Sequence, residues 1–205
     1  MTYETKDFSH LLGMPGLSEK LLKDHFTLYD GYVKNTNKCL EVLDQARKEG
    51  LLSEPQAAEV RRRFGWEFNG MRLHEVYFGN LVKRGSALQD GNALAEQIKA
   101  DFGSFDAWKQ DFSGVGGMRG IGWACLMYDP EVGRLMNVWL DEHDTGLLST
   151  GIPIVLLDVF EHAFMLDYGT DKDAYIGAFF DNLCWKTASE RFKQAQDVVI
   201  PLVVR

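Results

Sequence analysis

The sequence predicts an α+β protein: an N-terminal helical hairpin followed by a C-terminal part in which a small antiparallel sheet is flanked by helices. Three observations predict it. Apolar residues recur at helical spacing in two long runs between Ser18 and Val82. Three short strand-like segments, 123–128, 135–140 and 152–157, follow a run rich in glycine. Helical spacing then returns from Asp173 to Asp197.

Taken in order, residues 1–17 read as an irregular arm with turn chemistry at Gly13-Met14-Pro15-Gly16. Ser18 is a candidate N-cap for a helix carrying Leu21, His25, Leu28, Tyr32, Leu40 and Leu43, and Gly50 ends it. A second helix over 54–82 presents Phe64, Phe68, Met71, Val76, Phe78 and Leu81. The polar, turn-rich stretch 84–92 marks a boundary between two domains, 1–88 and 89–205. Beyond it, two shorter helices are predicted over 93–101 and 104–113, the latter capped by Ser104. The glycine run 114–122 reads as a loop. It lacks the Gly-Lys-Ser/Thr of a phosphate loop and is not a G-x-G-x-x-G after a strand. Asp129-Pro-Glu-Val-Gly133 reads as a hairpin connection between the first two strands.

The chain has 205 residues, enough to bury a core without help from disulfides. Apolar residues make up 45% and charged residues 25%, which places it among ordinary globular chains. A net charge of -8 argues against a nucleic-acid binder, which needs a basic footprint. The longest apolar stretch, 152–157, is too short to span a bilayer. The first residues carry acids and no apolar core, so no export signal is expected. The 3 cysteines, Cys39, Cys125 and Cys184, form no C-x-x-C pair and read as reduced thiols of a cytoplasmic protein.

The candidate chemistry lies in the histidines and one acidic segment. In Asp158-Val-Phe-Glu-His162 an apolar strand runs directly into an acid, with a second acid and a histidine inside four residues. A carboxylate in such surroundings costs several kcal/mol unless it is paired or binds a metal. A hydrogen-bonded Asp–His pair and a metal site both satisfy that demand. His25 and His74 each sit in a long helix among apolar residues, where a core histidine with a satisfied ring is the common alternative. Tyr32 follows His25 by seven residues, and seven steps of about 100° leave the two side chains within about 20° of each other. Gly70 precedes His74 by one turn and leaves room on that face for a bulky group. Together, His25, His74, Asp158 and His162 make three nitrogen donors and one oxygen donor, a set suited to iron, manganese or zinc.

The chain resembles the iron/manganese superoxide dismutase family. Asp158-Val-Phe-Glu-His-Ala163 matches that family's D-V-W-E-H-A signature, and Gly122-Trp-Ala124 its G-W-A strand. His74-Glu-Val-Tyr-Phe78 resembles the helix of the second ligand, and His25 to Tyr32-Val33 that of the first ligand with its active-site tyrosine. Tyr175-Ile176 and Trp185 fit the C-terminal helices. The resemblance implies His25, His74, Asp158 and His162 as ligands of one iron or manganese ion per subunit, with iron preferred. It implies Tyr32 and His143 as catalytic residues, supported by Trp123 and Gly70, and superoxide as substrate. It further implies a homodimer or tetramer in which Glu161 of one subunit bonds His162 of the other. A metal-free assembly protein of the same fold and a zinc hydrolase on the same scaffold are the competing functions.

Four positions depart from the family pattern. The family spaces its first histidine and the tyrosine by eight residues, which needs a π-bulge to bring them to one face; seven needs none. A gateway histidine and its tyrosine partner from the other subunit are replaced by Leu28 and Met165. The outer-sphere glutamine is replaced by Gly70 on the helix and by His143 on the strand-hairpin side. The basic residue that guides the anion falls at Lys172. The apolar tail 198–204 is a candidate for a further subunit contact.

Overall fold

The computed structural model describes residues 2–200. Ser18 starts the first helix, its hydroxyl accepting from Leu21 N at 3.1 Å, and α1 (Glu19–Glu49) runs to Gly50, which takes the left-handed φ of 72°. The helix is α-helical throughout, without a π-turn between His25 and Tyr32. Its core stripe is Leu21, Leu22, His25, Tyr29, Val33 and Thr36. Leu28, expected on that stripe, is instead 41% exposed, and Leu40 and Leu43 are half-buried. Leu28 lies about 60° around the helix from His25, just beyond the edge of that buried stripe. Pro55 opens α2 (Pro55–Gly79), whose missing N–H costs nothing at that position, and the short connection folds α2 back along α1.

Asn92 and Ser104 cap α3 (Ala93–Phe102) and α4 (Phe105–Gly117), accepting from Leu94 N at 2.9 Å and Ala107 N at 3.0 Å. Helix α4 therefore consumes the first part of the glycine run that was expected to be loop. Packing explains it: a Cβ at the buried Gly116 would lie 3.0 Å from Leu157 and 3.2 Å from Ile176, so glycine lets the helix lie close to its neighbours.

The sheet consists of β1 (Gly122–Asp129), β2 (Arg134–Asp141) and β3 (Ile152–Asp158), antiparallel in the order β2-β1-β3. Central β1 is buried along nearly its whole length, and its register sets Trp123 opposite both Leu140 and Asp158. After β3 come a 3-10 turn at Glu161–Ala163 and a short helix, α5 (Met165–Tyr168). The helical region expected over 173–197 consists of two helices, α6 (Lys172–Asp181) and α7 (Trp185–Gln196). The break at 182–184 pairs with the chain that follows α2: Val82 N donates to Asn182 O at 2.8 Å and Cys184 N to Asn80 O at 2.6 Å. Those backbone bonds reward leaving the helix. Among the described residues no helix is long and apolar enough to cross a membrane. Val199 of the apolar tail is 88% exposed, and 201–204 lie outside the described residues.

Candidate metal centre

Four elements converge on one point. His25 comes from α1, His74 from α2, Asp158 from the end of β3 and His162 from the turn that follows it. Asp158 Oδ2 lies 3.1 Å from His25 Nε2, 3.4 Å from His162 Nε2 and 3.6 Å from His74 Nε2. One donor atom from each residue falls within 4.8 Å of every other. An ion about 2.0–2.2 Å from each ligand atom spaces those atoms by about 3–4.4 Å, and the three distances to Asp158 Oδ2 fall in that range. His25, His74 and Asp158 are buried, whereas the His162 side chain keeps 25% of its surface.

The surroundings leave these donor atoms free. His74 Nδ1–H donates to Gly70 O at 2.6 Å, which fixes the tautomer and leaves Nε2 with its lone pair inward. Among the described residues, His74 Nε2 and His162 Nε2 are buried without a hydrogen-bond partner. Asp158 is held by its other atoms: Oδ1 accepts from Phe160 N at 2.8 Å, and its carbonyl accepts from Tyr175 Oη at 2.7 Å. Tyr77 Oη meets Tyr175 Oη at 3.0 Å behind it. Burial alone would raise the Asp158 carboxyl, but His162 and His25 beside it outweigh burial and hold it well below the usual carboxylate range. Burial pushes His25 and His74 down, so both rings are neutral and fit to donate lone pairs. Three imidazoles and a carboxylate form a donor set that fits a divalent or trivalent transition ion.

A second layer is built on Tyr32 and His143. His143 is fully buried although it sits in the β2–β3 loop. Trp123 Nε1–H, which can only donate, meets His143 Nδ1 at 3.1 Å. In the neutral ring Nε2 therefore carries the proton, and it donates to Tyr32 Oη at 2.8 Å. The Tyr32 ring lies 5.1 Å from the His74 ring. Gly70 is required by that placement: a Cβ there would fall 2.6 Å from Tyr32 Cδ1. Burial raises Tyr32 above the usual phenol range and pushes His143 down to about 4. Sequence reasoning missed Trp66, whose ring packs 4.5 Å from His143 and 5.3 Å from Tyr32. Its position one turn before Gly70 and two before His74 was the available signal.

Other predicted positions lie at the periphery. Glu161, expected to bond His162 of a second subunit, is exposed in the single chain, because the turn that points His162 inward points its neighbour out. Leu28 and Met165 are each 41% exposed. Lys172 Nζ donates to Met118 O at 2.8 Å and lies 5.7 Å from the centre of the Phe164 ring, and burial lowers its ammonium.

A profile of the iron/manganese superoxide dismutases, C-terminal domain, matches residues 89–191. The chain is 38% identical to an iron superoxide dismutase of Cupriavidus metallidurans, over 95% of this chain and 98% of that one. It is 37% identical to a manganese superoxide dismutase of Haloferax volcanii, over 90% and 91% of the two chains. An iron superoxide dismutase of Aquifex pyrophilus is 34% identical over 94% of this chain and 92% of its own.

Proposed function

The chain belongs to the iron/manganese superoxide dismutase family, and from that premise we propose that it disproportionates superoxide at one iron or manganese ion held by His25, His74, Asp158 and His162. The observation that carries this is the pair of orphaned nitrogens, His74 Nε2 and His162 Nε2, buried and directed at Asp158 Oδ2. A buried polar atom without a partner costs about 1–3 kcal/mol, and an ion at the centre removes that cost. A metal-free assembly role would leave both atoms unpaired. When bound, the ion supplies a one-electron couple: one superoxide gives up its electron and leaves as dioxygen, and a second takes that electron with two protons and leaves as hydrogen peroxide.

The chain's own residues hold the proton inventory. Trp123 fixes His143 as the Nε2–H tautomer, and His143 donates to Tyr32 Oη. That leaves the Tyr32 hydroxyl proton free to donate toward the centre. A phenol raised by burial stays protonated at physiological pH, and a histidine pushed down to about 4 stays neutral. The pair thus passes a proton at Tyr32 Oη without placing a cation beside the metal. Asp158 contributes the only anionic protein ligand, so the electrostatic hold on the ion rests on it.

The finer assignments belong to the same reading. Iron is the preferred ion, because neither a gateway histidine nor a glutamine accompanies the ligands. The curated relatives carry both metals in their names, so the preference is a property to measure on this chain. The protein works in the cytoplasm as a homodimer joined through Glu161 and His162. Metal analysis of the purified protein, followed by a superoxide disproportionation assay after loading iron, manganese or zinc, tests the proposal. Activity with iron or manganese and none with zinc is the expected outcome; a protein that retains no ion, or works only as a zinc hydrolase, refutes it. Asp158→Ala is expected to lose the metal under conditions in which the parent keeps it.

A further inference from the structure

Trp66 and Glu142 are joined across the molecule. Trp66 Nε1–H donates to Glu142 Oε2 at 3.0 Å, linking α2 to the loop between β2 and β3. That loop segment carries His143. It is closed by a reciprocal pair of backbone bonds, Asp141 N to Thr145 O at 2.9 Å and Thr145 N to Asp141 O at 3.2 Å. Within it Glu142 takes a φ of 54°, in the left-handed region that glycine, asparagine and aspartate occupy more readily. A glutamate held there needs support from outside the turn, because a strained φ persists only where the surroundings enforce it. The indole supplies such support. Trp66 is itself clamped: Arg63 stacks 3.9 Å from its ring centre, and Arg63 Nε donates at 2.8 Å to the buried Glu67.

We propose that Trp66 and Glu142 are positioning residues for His143. Their bond holds the left-handed turn that buries His143, and the Trp66 ring forms the outer wall against both His143 and Tyr32. Neither residue is among the four converging side chains; each acts through the Trp123–His143–Tyr32 chain. The proposal rests on the reading of His143 as the residue that orients Tyr32. Its consequence is that the outer hydrogen-bond partner, although placed on a loop, has its orientation set by the helical half of the molecule.

The test compares Trp66→Phe, Glu142→Ala, the double variant and Glu142→Gln in the metal-loaded enzyme, with His143→Gln alongside. Three quantities are read: turnover, the reduction potential of the bound ion, and hydrogen exchange at the Asp141 and Thr145 amides. Trp66→Phe keeps the wall and loses the donor, whereas Glu142→Ala keeps the backbone and loses the acceptor. Each is expected to speed exchange at those amides, to lower turnover by roughly two- to tenfold, the worth of one hydrogen bond, and to move the potential in the same direction. The double variant is expected to go no further than the larger single effect, because both remove one shared bond. Glu142→Gln retains a carbonyl acceptor and is expected to restore most of the lost turnover. Additive single effects, or unchanged exchange and potential in Glu142→Ala, overturn the proposal. If His143→Gln leaves turnover and potential at parental values, the role of His143 falls and the catalytic part of the proposal with it. The exchange data then still report on whether the bond holds the turn.

Discussion

Tyr32 and Gly70 make a matched pair, and the match is testable by adding one methyl group. A Cβ at position 70 would lie 2.6–2.9 Å from three atoms of the Tyr32 ring. Gly70→Ala is therefore expected to displace the phenol from His143 Nε2, to destabilise the fold by about 1–3 kcal/mol through overpacking, and to lower turnover while the metal stays bound. Denaturant unfolding together with metal content and activity checks it, and a fully active variant of parental stability sinks it. His143 gives a pH signature. Its proton affinity is lowered from 6.5 to about 4 in the folded chain, so between those values the unfolded chain binds the extra proton. Stability conferred by neutral His143 is complete above about pH 6.5 and is lost as pH falls toward 4, about 3 kcal/mol in all. The metal-free His143→Gln protein is expected to lose less stability than its parent over that interval, as read by thermal unfolding at stepped pH. At this scale much of the site was legible, because a histidine or aspartate among apolar neighbours demands an explanation. Trp66 and Glu142 were not: a tryptophan between Phe64 and Phe68 reads as core surface, and an acid in Asp141-Glu-His-Asp144 reads as a solvated loop charge.

Between elements, the sequence pattern found most helices and all three strands but misjudged where helices stop. The glycines of α4 looked like chain punctuation, yet Gly116 is there for close approach to Leu157 and Ile176. Periodicity within a segment carries no information about what packs against it. The position of the break between α6 and α7 is not carried by the periodicity either, since its cause is the distant segment at Asn80–Gly85. Asn182 is the residue on which that junction turns. It is 1% exposed; its Nδ2 donates to Pro15 O and Ala178 O, both at 2.8 Å, and its Oδ1 accepts from Arg84 N at 3.1 Å. One side chain thus ties the N-terminal arm, the connection after α2 and the end of α6. Asn182→Ala is expected to cost about 2–4 kcal/mol, since it strips partners from buried backbone groups. The loss should appear in denaturant midpoint, with turnover per bound metal unchanged below the unfolding transition; a variant as stable as its parent shows that the junction holds without it.

For the whole molecule, the question is why one metal-facing side chain is left partly open. His25, His74 and Asp158 are sealed inside the chain, but the His162 side chain is 25% exposed and Glu161 beside it faces out. Leu28, Ile121, Met165 and Leu166 are exposed apolar residues on segments flanking this part of the chain, at 41%, 38%, 41% and 53%. A second copy related by a twofold axis would cover such a surface reciprocally. Glu161 of each copy then accepts from the outward nitrogen of the other copy's His162, fixing its tautomer and strengthening Nε2 as a donor to the ion. The exposure of Glu161 in the single chain is what this arrangement needs, because a carboxylate already satisfied at home would have nothing to offer a partner. In such a dimer Leu28 and Met165, at the positions where the resemblance places a polar gateway, would make that part of the seam apolar. Glu161→Ala is accordingly expected to weaken dimerisation and metal retention together, by about 3–5 kcal/mol where a buried charged bond is broken from one side. Glu161→Gln retains an acceptor oxygen and should recover part of both. Sedimentation equilibrium and metal analysis on the same samples decide it: a fully metallated, active monomer from the Ala variant would show that the centre does not depend on the partner, whereas parallel loss of dimer and metal would make the second subunit part of the metal site.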